Sequence, residues 1–75
     1  MDRIRVDSSV IASVGYAPDE GVLEVEFHSG RVYQYLDVPA KEHEALMAAG
    51  SMGRHFNRRI RAGYRRRELP RPEPR

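Results

Sequence analysis

The chain has 75 residues, which is enough for one domain with a small core and too few for a core plus a deep pocket. It contains no cysteine, so a disulfide framework, a cysteine-ligated zinc site and a thiol nucleophile are excluded, and a reducing, cytoplasmic location is expected. The net charge of +2 conceals an asymmetry, because residues 1–53 hold 4 basic and 9 acidic side chains (net −5) and residues 54–75 hold 9 and 2 (net +7). A basic end on an acidic body indicates either a polyanionic partner or a solvated arginine-rich segment.

Targeting and membrane segments are not expected. The first six residues alternate in charge and lack the apolar centre of a signal peptide. The longest uncharged stretch, residues 8–18, is too short and too polar to cross a bilayer. The sequence therefore predicts no membrane partner.

Three β-strands are predicted in the first half of the chain. Residues 6–17 form the first, in which several apolar side chains share one parity. Turn chemistry at residues 17–21 leads into a second strand at residues 22–28, where apolar and polar side chains alternate cleanly. A Ser-Gly pair at residues 29–30 predicts a tight hairpin into the third strand, residues 31–36.

The register of that hairpin decides which side of the sheet its tyrosines occupy. A two-residue turn pairs Phe27 with Val32 and places both tyrosines on the solvent side. A type I turn with Gly30 in a left-handed bulge position instead places Tyr33 and Tyr35 on the apolar side. The second register separates apolar from polar residues better and is favoured, but both remain open from the sequence.

Two helices follow the strands. Pro39 suits the first position of a helix that ends at Gly50. Ser51 is the expected N-cap of a second helix, which runs to about Gly63 or Tyr64.

These elements predict an α+β fold, with a three-stranded antiparallel β-meander followed by two α-helices packed on one sheet face. Residues 1–67 are expected to form this single β-β-β-α-α domain. Residues 68–75 contain three prolines in eight positions and are predicted to be a disordered or extended tail.

The second helix carries the strongest functional signal, a band of arginines at steps of 4, 3 and 4: Arg54, Arg58, Arg61 and Arg65. Residues 50–67 contain no acid, although like charges on a helix repel by a few tenths of a kcal/mol per pair. Arginine forks onto phosphate and stacks on bases, so the band predicts a polyanion-binding surface. The alternative is a solvated face that compensates the acidic sheet by pairing with Glu24 or Glu26.

Further candidate contacts surround this band. Arg31 and Arg59 extend the positive charge, and Tyr33 and Tyr35 could stack on bases if their rings face solvent. At the start of the second helix, the candidate phosphate-binding residues are Ser51 and Gly53, with ordinary helix capping as the alternative reading.

No catalytic or metal-binding group is expected. His28, His43 and His55 lie on three different predicted elements, and no spacing supports a metal cluster or an acid–base pair. The sequence therefore predicts no cofactor and no enzymatic activity, and a small nuclease is the least supported function.

The order and spacing of several short motifs resemble the KTSC domain family. The matching segments over about residues 5–64 are Asp7-Ser8-Ser9-Val10-Ile11, Val14-Gly15-Tyr16, Leu23-Glu24-Val25-Glu26-Phe27 with Gly30, Val32-Tyr33-Gln34-Tyr35, Val38-Pro39, Ser51-Met52-Gly53, Phe56-Asn57 and Ile60-Arg61. This family takes its name from the C-terminus of some lysyl-tRNA synthetases and also occurs as stand-alone bacterial and phage proteins.

Through that synthetase context, the resemblance implies an RNA partner, with tRNA as one candidate. Tyr33 and Tyr35 match the family's Tyr-x-Tyr hallmark. His43 and His55 stand where the family commonly has an aromatic residue, which favours packing roles for both. The expected function is thus a small nucleic-acid-binding module that uses the arginine band. The alternative is a protein-interaction module that docks an acidic partner.

Overall fold

The computed structural model describes residues 1–70, which form one sheet covered on one face by helices. In chain order the elements are β1 Ile4–Arg5, β2 Ile11–Ala17, β3 Val22–Phe27, β4 Val32–Tyr35, α1 Ala40–Ala48, α2 Met52–His55 and β5 Arg66–Leu69. A π-helical segment, Phe56–Ile60, continues α2 without a break. The α+β class and the two helices on a sheet agree with the sequence-based prediction.

The sheet has five antiparallel strands in the order β1-β2-β3-β4-β5, and not the three predicted. The predicted first strand is interrupted before β2 because the Ser8 hydroxyl accepts hydrogen bonds from the backbone N–H groups of Val10 and Ile11, each at 3.2 Å. Such local bonds turn the chain away from a continuous ladder. The residues before this turn form β1, which pairs with β2.

The fifth strand was missed because it forms only by returning to the free edge of β4. Tyr35 pairs with Arg66, and Val32 pairs with Leu69. Glu68 and Leu69 thus belong to the sheet, although the sequence assigned them to the tail that begins at residue 68. Residues 71–75 of that tail lie outside the described residues.

A β-bulge in β2 places apolar residues of opposite sequence parity on one face of the sheet. Ile11 pairs with Phe27 and Ser13 pairs with Glu26, so Ala12 is an extra residue in β2 that has no partner of its own in β3. The extra residue brings Ile11 and Val14 to the same face, where both are buried.

The favoured hairpin register is confirmed. Leu23 pairs with Tyr35 and Val25 with Tyr33, which puts both tyrosines on the apolar, helix-covered face. Gly30 adopts φ 95°, the left-handed conformation that this bulged turn requires.

The core lies between the helices and this face of the sheet. Phe56 of the π-helical segment packs edge-on against Phe27 and Tyr35, with ring centroids 5.4 and 5.3 Å apart. Leu46 of α1 and Ile60 are fully buried beside them. Within the described residues, no helix has the length and apolar character needed to cross a membrane.

Replacing Gly30 with Ala should lower the free energy of unfolding by about 1–2 kcal/mol, because a side chain disfavours the left-handed conformation. Gly50→Ala is the matched control, since a Cβ at Gly50 meets nothing within 4 Å and the residue has no positive φ. Urea unfolding followed by circular dichroism measures both variants. Equal stability of the two would contradict the role given to Gly30 in setting the register.

Candidate functional site

The arginines of the second helical region point away from the core. Arg54, Arg58 and Arg61 are exposed, whereas Phe56 and Ile60 between them are buried. The backbone N–H of Arg61 donates to the Phe56 carbonyl at 2.9 Å, an i to i−5 bond that widens the last turn. We name the surface formed by Arg54, Arg58 and Arg61 the arginine face.

The fourth member of the predicted band, Arg65, is not on the helix. The helical region ends at Ile60, earlier than the predicted end near residue 63 or 64. A Cβ at Gly63 would lie 2.8 Å from the Arg59 carbonyl oxygen, so the chain turns there by a close backbone approach. Arg65 follows in the connection to β5, where its carbonyl accepts a hydrogen bond from the Leu36 N–H at 2.8 Å.

Glu42 of α1 partly neutralises the side of the helix next to the arginine face. Its carboxylate lies 3.7 Å from Arg59 Nε and 3.4 Å from His55 Nε2, although the second contact lacks hydrogen-bond geometry. The Tyr64 hydroxyl donates to the same carboxylate at 3.1 Å. Arg59 is therefore in part a structural residue that ties the helix to α1.

Glu24 and Glu26 of β3 form their ion pairs on the opposite face of the sheet. Arg3 Nη1 lies 2.6 Å from Glu24 Oε2, and Arg3 Nη2 lies 4.0 Å from Glu26 Oε1. Gln34 Nε2 donates to Glu24 and Arg67 Nε donates to Gln34, each at 2.8 Å. Because this network lies on the face away from the helices, Glu24 and Glu26 are not partners of the arginine face.

A cleft of about 490 Å³ opens where the β3–β4 hairpin, the π-helical segment and β5 meet. Three arginines from three different elements line it: Arg31, Arg61 and Arg66. Its apolar and aromatic lining includes Val10, Phe27, Tyr33, Tyr35 and Phe56, and Asn57 contributes an amide. The guanidinium of Arg66 lies over the Tyr33 ring, 5.2 Å from its centroid.

The two tyrosines of the cleft differ in what they can offer to a ligand. Tyr35 is 1% exposed, so its ring belongs to the core and has no free face for a base. Burial raises the pKa of Tyr35 above its ordinary value, while Arg66 acts in the opposite direction. Tyr33 is only half-buried, and its hydrogen-bonding interaction with Arg31 raises the pKa of that guanidinium.

At the predicted phosphate site, Ser51 and Gly53 have local structural roles, and both also line an open cavity of about 510 Å³ at the start of α2. The Ser51 hydroxyl caps the helix by accepting from the Arg54 N–H at 3.4 Å. A Cβ at Gly53 would lie 3.4 Å from Val10 Cγ2, so this glycine permits close contact between the helix and the chain before β2.

The histidines are distributed over the fold. His43 stacks on Tyr16 with ring centroids 4.6 Å apart, which confirms its packing role. His28 Nε2 lies 2.8 Å from the Ser8 carbonyl oxygen. Residues 1–70 contain no cluster of three or more His, Asp and Glu residues that could hold a metal ion.

Comparison with known proteins assigns the family. The KTSC domain family model matches residues 7–64. The chain belongs to the KTSC domain family. A crystallised KTSC domain protein from Yersinia pestis shares the fold with a TM-score of 0.87 and 41% identity, covering 92% of this chain and 97% of that one.

Related sequences occur both as short proteins and within a longer enzyme. A protein of Stutzerimonas stutzeri is 49% identical over 57 residues, which cover 76% of this KTSC chain and 80% of that protein. The lysine–tRNA ligase of Nostoc punctiforme is 36% identical over 66 residues. Those residues cover 88% of this chain but only 12% of the ligase.

Sequence reasoning missed the cleft of this KTSC domain. It gave neither Arg66 nor Asn57 a specific binding role. Arg66 reaches the cleft because β5 pairs with β4 and places it opposite Tyr35, on the helix-covered face. A strand prediction at residues 66–69 would have placed Arg66 at the cleft. The segment Arg-Arg-Glu-Leu, however, lacks the β-branched and aromatic residues that predict strands.

Replacing Glu42 with Gln should lower the pKa of Tyr64. Burial raises that pKa first, and the hydrogen bond and negative charge of Glu42 raise it further. The folded-state pKa of Tyr64 is above the unfolded value of about 10, so the protonated hydroxyl favours the folded state. This contribution to stability is fully present below about pH 10 and is lost as the pH rises through the folded-state pKa. NMR titration of ¹³C-labelled tyrosine rings resolves the change.

Tyr35 is the internal control for this experiment, because its pKa is raised mainly by burial and Glu42 is not among the causes. An equal drop at Tyr35 and Tyr64 would indicate general loosening of the fold. An unchanged Tyr64 would contradict the contact with Glu42.

Proposed function

We propose that this KTSC domain binds RNA, with the arginine face contacting phosphates. The observation that carries the proposal is the shortage of carboxylates around its arginines. Residues 54–67 contain seven arginines, and among residues 1–70 only Arg59 of these lies within 4.0 Å of a carboxylate. Exposed guanidinium groups without acidic partners are suited to a polyanion that supplies the missing charge.

The distribution of the acids supports this reading over a compensated surface. Glu24 and Glu26 pair with Arg3 across the sheet from the helices. Glu42 lies beside Arg59, at the margin of the arginine face. A polyanion approaching Arg54, Arg58 and Arg61 therefore meets few like charges.

RNA is favoured over other polyanions by the relatives of the chain. A segment similar to this domain forms part of a protein named lysine–tRNA ligase in Nostoc punctiforme. The arginine face offers a short row of phosphate contacts and few groups that read bases, so binding there should depend weakly on sequence.

Fluorescence anisotropy with a labelled structured RNA tests the proposal. Three phosphate contacts predict that log K falls with log salt with a slope of about −2 to −3. The double substitution Arg58→Glu, Arg61→Glu should abolish binding, because it replaces two contacts with repulsion.

Two single variants separate the position of a charge from its amount. Arg58→Glu should weaken binding roughly tenfold or more, through loss of a charge-assisted contact. Arg5→Glu changes the net charge equally but lies on β1, at the opposite edge of the sheet from β5, and should have a much smaller effect. Equal effects of both, or no binding at low salt, would refute the arginine face as an RNA surface.

A protein partner is the competing outcome of the same assay. Polyglutamate added as a competitor tests it, since an acidic polypeptide offers carboxylates but no phosphates or bases. Displacement of the RNA by polyglutamate, at a carboxylate concentration equal to the phosphate concentration of the RNA, would favour docking of an acidic protein.

A further inference from the structure

The cleft differs from the arginine face in combining positive charge with an accessible apolar lining. Its volume of about 490 Å³ falls within the range of roughly 300–1,000 Å³ that is usual for small-ligand sites. Val10 at its edge is 43% exposed, and Phe27 and Tyr33 are half-buried. A ligand that enters this cleft can therefore remove apolar surface from water while it contacts guanidinium groups.

The charge around the cleft is not balanced by the protein. Arg31, Arg61 and Arg66 come from the hairpin, the end of the helix and β5. Among the described residues the one carboxylate paired with them is Glu68, which lies 3.6 Å from Arg31 and is itself substantially exposed. An exposed pair of this kind contributes little, so the cleft favours an anion.

Contacts within the protein explain the position of Arg66 but not that of Arg61. Arg66 is held over the Tyr33 ring, which fixes the plane of its guanidinium. Arg61 makes neither an ion pair nor a contact of this type within residues 1–70. Its exposed guanidinium lies at the same cleft and is available to an anionic group.

Asn57 adds a polar group that can recognise a base. Its side chain is exposed, lines the cleft and makes no hydrogen bond within the described part of the chain. A carboxamide presents one acceptor and two donors, which match the edges of nucleobases.

We propose that the cleft holds one unpaired nucleotide of a bound RNA strand. The phosphate contacts Arg61 and Arg66, the base packs on the apolar lining beside Val10, and the Asn57 amide reaches the edge of the base. This inference rests on the proposed function and deepens it, because it assigns to the KTSC domain a preference for single-stranded over duplex RNA. Bases inside a duplex are stacked and paired and cannot enter such a cleft.

The first experiment compares two labelled RNAs with the same number of nucleotides, one an unstructured single strand and the other a hairpin duplex. The full chain should bind the single strand more tightly at the same salt concentration. Asn57→Ala leaves the net charge unchanged and should weaken binding of the single strand by roughly threefold to tenfold. It should leave binding of the duplex unchanged.

A charge-preserving pair of variants tests the phosphate contact. Arg61→Lys keeps the charge but removes the planar fork, so we expect a loss of roughly tenfold for the single strand. Arg58→Lys is the matched control, since Arg58 lies outside the cleft, and a loss of less than about threefold is expected. The side-chain amide signals of Asn57 in ¹⁵N NMR should shift saturably with the single strand.

The outcomes separate the two proposals. Salt-dependent binding that is lost on charge reversal at Arg58, but is equal for both RNAs and unaffected by Asn57→Ala, overturns the cleft and leaves the arginine face. Absence of RNA binding by the unmodified chain at low salt overturns both. Preference for the single strand, with selective loss in Asn57→Ala and Arg61→Lys, supports the nucleotide site.

Discussion

The register of the β3–β4 hairpin is the constraint on which the rest of the structure depends. Side chains alternate along a strand, so a slip of one residue would transfer Tyr33 and Tyr35 to the other face of the sheet. The left-handed Gly30 sets the observed register, and the backbone N–H of Phe27 donates to the Arg31 carbonyl at 2.9 Å. Both tyrosines then meet the helices: Tyr35 packs against Phe56 in the core, and Tyr33 remains at the edge of the cleft. One turn therefore determines both the aromatic core and the floor of the candidate site.

The two faces of the sheet divide the charge of the protein between them. On the outer face, Glu24 is buried and is held by Arg3 and Gln34, so its negative charge is met locally. On the helix-covered side, charged residues lie around the edges of the core and are mostly arginines. The alternation of β5 continues this division, since Arg66 faces the cleft and Arg67 donates to Gln34 on the outer face. The asymmetry seen in the sequence thus becomes a spatial separation of charge across a thin domain.

Local patterns predicted the parts of this fold that local physics controls. The clean alternation of residues 22–28, the turn at Gly30 and the Ser51 cap each depend on neighbouring residues, and the structure agrees with them. The fifth strand and the π-helical segment depend on tertiary contacts, so their sequences carry weak signals. The spacing of Arg54, Arg58 and Arg61 predicted a shared helix face, but it placed Arg65 there wrongly. The cleft was not predicted, because its three guanidinium groups come from distant segments. Predicting that these groups meet requires the topology of the sheet, and the sequence did not predict β1 or β5.

Under the proposed nucleotide site, ligand binding in the cleft would be linked to the stability of the domain. Guanidinium groups gathered from three segments repel one another, and the exposed pair of Arg31 with Glu68 offsets little of this repulsion. A domain of this size has a thin stability margin, so such repulsion is a measurable fraction of it. An anion placed between Arg61 and Arg66 would turn the repulsion into attraction and join the end of the helix to β5. A ligand that binds only the folded state stabilises it in proportion to the logarithm of its concentration over Kd. The same residues that weaken the free domain would therefore make its folded form most stable when RNA is bound.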